Sequence, residues 1–239
     1  MAKKLGVIGG LGPVATAYFY ELVSRMTDAY HDQEHIDINI ISKPSIPDRT
    51  DYILGRSTES PLSHLIEAGK SLVELGADCI AIPCITAHYF YEELSDGIKA
   101  PIIHIIHETV RYMKEHNVKS AGIMATEGTM ASGLFQNELL KCNIEPIILS
   151  SQSQCLVTSL IYKNVKAGKP VNMEQFNQVK DELKDKGADT IILGCTELSL
   201  IKRDENIGSG FIDALEVLAM CSVKFCGARL KNEYTNLIT

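Results

Sequence analysis

Short β-branched runs alternate along the chain with longer stretches in which apolar residues recur at helical spacing. Leu5–Ile8, Ile36–Ile41, Cys79–Ile82, Ile102–Ile105, Ala121–Met124, Pro146–Leu149, Thr190–Leu193 and Phe211–Asp213 are expected as strands. Ala15–Tyr30, Pro61–Leu75, Glu108–Glu115, Ser132–Lys141, Gln154–Ala167 and Met173–Lys186 have the length and spacing of helices. Nearly continuous apolar strands separated by helices imply parallel sheets covered on both faces, so the expected class is α/β.

A repeat sharpens this. Gly76-Ala77-Asp78-Cys79-Ile80-Ala81-Ile82-Pro83-Cys84 aligns with Gly187-Ala188-Asp189-Thr190-Ile191-Ile192-Leu193-Gly194-Cys195 at an offset of 111 residues. The openings of the halves align less closely, Lys4–Gly9 with Ser120–Ala125, at an offset of 116. A duplicated α/β unit is the simplest account: two pseudo-symmetric lobes, each a parallel sheet flanked by helices, with a cleft between them. The expected division is residues 1–100 with 212–239 in one lobe and 101–211 in the other.

Composition narrows the function. The 239 residues carry 23 Lys and Arg against 30 Asp and Glu, a formal net charge of −7, which disfavours nucleic acid as a partner because phosphate contacts need clustered cations. Neither a signal-peptide h-region nor a membrane-length apolar run occurs, so a cytoplasmic protein is expected. The seven cysteines include no Cys-x-x-Cys pair, which argues against a disulfide framework and a structural zinc site. Cysteines 79, 142, 155, 221 and 226 sit in apolar surroundings and read as small buried hydrophobes.

Cys84 and Cys195 are different. Each ends a repeated strand just before an expected helix, where ligands collect in open parallel sheets and where a helix N-terminus can lower a thiol's pKa. Pseudo-twofold packing would aim the two thiols at one cleft from opposite sides. Such a pair suits inversion at a carbon, one thiolate removing a proton and the other thiol supplying one to the opposite face. Thr86 and Thr196, with the backbone N–H groups after each cysteine, are placed to hold a carboxylate.

Other signals are weaker. Gly10-x-Gly12-x-x-Ala15 loosely fits a dinucleotide fingerprint, but Pro13 removes an N–H and no acidic residue ends the second strand. His88 could tune Cys84 or contact substrate, or equally make a structural hydrogen bond. His104 and His107 lack a third ligand at metal spacing, so no metal is expected. Glu197 reads first as a helix cap and second as a residue that orients the cleft.

Together the segments Gly6–Pro13 with Ala15-Thr16, Asp32–Ile36, Pro44–Thr50, Pro83-Cys84-x-Thr86-Ala87-His88, Thr126-x-Gly128-Thr129, Val165–Gly168 and Gly194–Glu197 resemble the cofactor-independent aspartate/glutamate racemases. The resemblance implies a two-lobed fold, a homodimer, and a cysteine pair working without pyridoxal phosphate or metal on a small acidic amino acid, most readily aspartate. By the same resemblance Arg49 and Lys166 bind the acidic substrate, and Ile85, Thr126 and Thr129 join Thr86 and Thr196 around it. One departure stands out: the family usually has asparagine after the first cysteine, and this chain has Ile85, which offers only its backbone N–H. Two alternatives remain open, an isomerase or decarboxylase of a small dicarboxylic acid and a catalytically degenerate amino-acid-binding protein.

Overall fold

The computed structural model describes residues 3–239. Its strands are β1 (Leu5–Gly9), β2 (Ile38–Ser42), β3 (Cys79–Ala81), β4 (Ser120–Ala125), β5 (Glu145–Ile147), β6 (Thr190–Gly194) and β7 (Phe211–Asp213). The helices are α1 (Pro13–Met26), α2 (Arg49–Ile53), α3 (Leu62–Glu74), α4 (Tyr91–Gly97), α5 (Ile105–Glu115), α6 (Glu127–Ser132), α7 (Leu134–Lys141), α8 (Ser151–Thr158), α9 (Met173–Asp185), α10 (Thr196–Asp204) and α11 (Ala214–Phe225). Two parallel sheets result, ordered β2-β1-β3 and β5-β4-β6-β7. The central strands β1, β4 and β6 are buried throughout, while β2 and β5 are half-exposed edges.

The repeated Gly-Ala-Asp turn explains how each half is built. Gly76 and Gly187 take φ of +84° and +90°, the left-handed conformation that glycine adopts without penalty, and so end α3 and α9. The next residue closes each helix, Ala77 donating to the Leu72 carbonyl and Ala188 to that of Leu183, both at 3.0 Å. Those same alanines and leucines press on the glycine of the central strand. A Cβ on Gly6 would meet Ala77 at 2.9 Å and Leu72 at 3.1 Å, and one on Gly122 would meet Leu183 at 3.0 Å and Ala188 at 3.2 Å. The aspartate then accepts the N–H that opens the strand: Asp78 from Lys4 at 2.7 Å, Asp189 from Ser120 at 3.1 Å. Register follows, with Leu5 opposite Cys79 and Ala121 opposite Thr190. The two offsets seen in the sequence are thus a duplicated packing unit.

The lobes share a core. Residues of β1 and β4 belong to one apolar cluster with α1, α5 and α11, while two further clusters cover the outer faces of the sheets. Helix α11 leaves the second sheet after β7 and packs on both α1 and α5.

Several local expectations differ. Ile102–Ile105 forms no strand: a single bridge joins Ile102 to Ile80, and helix α5 already begins at Ile105. The stretch 154–167 is not one regular helix, because α8 gives way to a π-helical turn over Ser159–Val165. Cys155 is exposed and Cys142 half-buried rather than part of the core; α8 buries Ser153 and Val157, four apart, which turns the intervening Cys155 outward. Among the described residues, no helix is long and apolar enough to cross a membrane.

Candidate active site

The carboxyl ends of β3 and β6 deliver Cys84 and Cys195 to one pocket. Leu11, Asp48, Arg49, Thr50, Ile85, Thr86, Thr126, Tyr162, Lys166, Thr196 and Glu197 complete its walls, and its free interior holds about one water molecule. Eight of the residues expected here from sequence therefore line it: Cys84, Cys195, Arg49, Ile85, Thr86, Thr126, Lys166 and Thr196. Thr129 lies behind that wall, fully buried, its hydroxyl within 3.0 Å of those of Thr86 and Thr126. This ring of three hydroxyls ties the turn after Cys84 to the start of α6, where Thr126 caps the helix by accepting the Thr129 N–H.

On the Cys84 side, Pro83 leads into a tight turn in which the Cys84 N–H donates to the Ile82 carbonyl at 2.7 Å. His88 is not among the residues that line the pocket. Its Nδ1 bonds the Cys84 carbonyl at 3.0 Å, its Nε2 accepts from the Ile105 N–H, and burial pushes it down to about 4, so it is neutral and structural. Arg49 opens α2, which Asp48 caps by accepting the N–H groups of Thr50 and Asp51. Its guanidinium donates to the carbonyls of Ile46, Pro47 and Leu11, which uses three of five N–H donors. Nε is buried with no partner. Burial works against the arginine's charge, but the neighbouring Cys84 sulfur and the Asp48 carboxylate more than offset it and hold its pKa above the ordinary value.

The Cys195 side has the opposite polarity. The Glu197 carboxylate accepts a hydrogen bond from the Cys195 thiol at 2.9 Å and one from the Thr196 hydroxyl at 3.3 Å. Glu197 is buried, so the expected capping role gives way to a direct bond to the thiol. The lowered thiol pKa expected at this helix start is reversed too: burial, then the Glu197 charge, push Cys195 well above the usual range, with Lys166 opposing. Lys166 follows the π-helical turn, and its ammonium lies 4.6 Å from the Tyr162 ring centre. Burial disfavours its charge, but Glu197 and Cys195 hold it above the ordinary value. Tyr162, pushed up to about 12 by burial, remains a neutral phenol.

A vestibule of about 410 Å³ adjoins this pocket. It is lined by Gly10, Leu11 and Gly12, the first turn of α1 (Pro13, Val14 and Ala15), Pro44, Ile46, Val165 and Leu200, and shares Leu11, Asp48, Arg49, Lys166 and Glu197 with the inner site. His104 and His107 lie elsewhere, in a surface groove that holds neither Cys84 nor Cys195; His104 caps α5 and His107 pairs with Glu138 at 2.8 Å. Sequence reasoning missed Tyr162, and it put a helix cap ahead of the cleft for Glu197, which the structure places against the Cys195 thiol. Tyr162 stands four residues before Lys166, a spacing that puts two side chains on one helical face and could have signalled it.

Two duplicated α/β lobes that each send a strand-end cysteine into one buried pocket define a two-thiol site built by internal repetition. Residues 8–221 match the Asp/Glu/hydantoin racemase family, and the chain belongs to that family. It is 33% identical to the aspartate racemase of Picrophilus torridus, with a TM-score of 0.85 and 97% of each chain covered. It is 28% identical over 229 residues to a broad specificity amino-acid racemase, RacX, of Bacillus subtilis, covering 92% of this chain and 96% of that one. The glutamate racemase of Francisella tularensis, at 19% identity, shares the fold with a TM-score of 0.70, over 100% of this chain and 85% of that one. The protein is thus an enzyme of the racemase type.

Proposed function

We propose that the protein racemises an acidic amino acid, aspartate first, by proton transfer between Cys84 and Cys195 and without a carbonyl cofactor. The observation that carries this reading is the delivery of two thiols into one pocket from equivalent strand ends of a duplicated fold. The Arg49 guanidinium shares the pocket wall with Cys84, whereas burial and then the Glu197 charge hold Cys195 as a thiol. In one direction Cys84 takes the Cα proton, leaving a planar carbanion whose charge spreads into the α-carboxylate. Cys195 then protonates the opposite face, and the reverse direction exchanges the roles. The N–H groups at the start of α10 and the Thr86 and Thr196 hydroxyls suit the α-carboxylate.

The side-chain carboxylate falls to Arg49 and Lys166. The unpartnered Nε–H of Arg49 and one remaining Nη2 hydrogen offer donors to an anion in a site too dry to leave a charge unpaired. Similarity to the Picrophilus enzyme supports aspartate. Ile85 favours a second reading, a wider range of amino acids, since it puts a buried apolar surface where an amide would select polar groups. The test is Cα-proton exchange in D₂O together with loss of optical rotation, run on both enantiomers of aspartate, glutamate and alanine. Exchange with aspartate outpacing alanine is expected. Faster turnover of alanine would overturn the acidic assignment, and no exchange with any amino acid would overturn the reaction. The homodimer implied by the family resemblance is checked by light scattering.

A further inference from the structure

The Glu197 carboxylate turns back from α10 into the protein. One oxygen accepts from the Cys195 thiol at 2.9 Å and from the Thr196 hydroxyl. The other fills the space that a side chain at position 12 would need: a Cβ on Gly12 would lie 2.6 Å from it. Gly12 has φ −118° and ψ 137°, open to any residue, so room for this carboxylate is what demands glycine there. Glu197 also lines both chambers, whereas neither Cys84 nor Cys195 reaches the vestibule. The repeat counterpart of Glu197 is Thr86, so the Cys84 half has no carboxylate at this place.

We propose that Glu197 is the proton relay of the Cys195 half, carrying protons between that thiol and water in the vestibule. The inference rests on the two-thiol racemisation proposed above. After Cys195 has given its proton to the carbanion it is a thiolate, and another turnover in the same direction requires the thiol again. Hydronium in the vestibule protonates the Glu197 carboxylate, leaving water. The carboxylic O–H bond then breaks as an S–H bond forms on Cys195, and the carboxylate is restored. One solvent proton has moved to sulfur, and nothing is oxidised or reduced. For turnover in the opposite direction the thiol loses its proton by the same two steps reversed. Lys166 beside Glu197 balances the anionic form of the relay. Glu197 is thereby a positioning residue that acts through Cys195.

The experiment compares Glu197→Gln and Glu197→Ala with the wild type at saturating substrate, in both directions, with and without added formate or acetate. Glutamine keeps an acceptor for the thiol but carries no proton, so kcat should fall by about 10²-fold while KM changes little. In Glu197→Ala the vacated space opens to the vestibule, and small carboxylic acids should restore rate in an order set by their pKa, which a merely structural role would not produce. Full kcat in Glu197→Gln, or a folded Glu197→Ala that no carboxylic acid restores, would overturn the relay. A wild-type protein that exchanges no Cα proton would instead overturn the racemase reading, an outcome distinct from an active enzyme indifferent to Glu197.

Discussion

The corners around Cys84 and Cys195 start from the same strand and the same Gly-Ala-Asp turn, then part company within four residues. Pro83, Ile85, Thr86 and His88 of one stand where Gly194, Thr196, Glu197 and Ser199 of the other do. One thiol thereby lies against a guanidinium and the other against a carboxylate. The shared part of the repeat is what packs: the helix ends, the strand glycines and the clamping aspartates. What diverges is what faces the pocket. Duplication supplied the symmetry that brings two thiols together, and divergence supplied a cation at one corner and a carboxylate at the other.

The harshest way to break the comparison is to remove either thiol. Cys84→Ala and Cys195→Ala should each lower racemisation by about 10³-fold or more, because neither proton can move without its own sulfur. Circular dichroism should show both variants folded. The wild type should lose activity to a thiol-alkylating reagent, and substrate should protect it. Near-normal racemisation by either variant would remove the two-thiol mechanism.

Next in size is the cation on the Cys84 side. Arg49→Ala leaves the carbonyls of Leu11, Ile46 and Pro47 without their donor and, on the proposed reading, the substrate carboxylate without its partner. Truncating one member of a buried charge pair typically costs roughly 2–5 kcal/mol, a factor of tens to thousands. The expected outcome is a steep rise in KM for aspartate and a smaller one for alanine. Arg49→Lys should recover little, since a point charge cannot replace a planar fork. Equal losses for both substrates would mean that Arg49 serves only its carbonyls and Cys84.

The Cys195 side can be probed without touching its own residues. Gly12→Ala places a methyl 2.6 Å from the Glu197 carboxylate and must displace it from the thiol, although the backbone there tolerates alanine. A fall in kcat of about tenfold is expected, about 1.4 kcal/mol on the barrier. Thermal stability should change little. An unchanged kcat would show that the carboxylate need not stay where it is.

How much of the molecule is legible in its sequence follows from where the causes lie. The strands of the two halves and the paired cysteines are readable because they rest on local runs and on a repeat. The apolar spacing carries α1 on to Tyr30, yet the helix stops at Met26, because Thr27 leaves helical geometry to bridge Leu230, a partner more than 200 residues away. Helix α11 leaves no such mark because it is buried on nearly every side, which removes the polar stripe that signals a helix in sequence. At the site, Glu197 is hidden for the same kind of reason. An acidic residue at the start of a helix is ordinarily a cap, and only the fold shows that Gly12 leaves it a niche beside sulfur.

The smallest expected effect concerns stability and contrasts the layers behind the two thiols. His88, behind Cys84, is held down at about 4 by burial. Its unfolded value near 6.5 lies above that, so its contribution is complete above pH 6.5 and is lost as pH falls through 4. Behind Cys195, Ser199 donates to the buried Asp213, and Lys202 pairs with Glu216 at 2.8 Å. Burial, then the Asp213 charge, push Glu216 up to about 7 despite Lys202. Its unfolded value is lower, so its contribution is complete below about pH 4.5 and is lost as pH rises through 7. The two corners therefore answer acid in opposite senses. A tenfold difference in proton affinity between folded and unfolded chain is worth at most about 1.4 kcal/mol, and 1 kcal/mol moves the melting temperature of a chain this size by about 2–4 °C. Melting curves from pH 4 to 8 should show Glu216→Gln losing the gain in stability on going from pH 8 to 5, and His88→Asn losing part of the drop below pH 6.5. If Glu216→Gln keeps the wild-type slope between pH 5 and 8, the acid pair behind Cys195 does not hold a proton, and the contrast between the corners ends at the pocket wall.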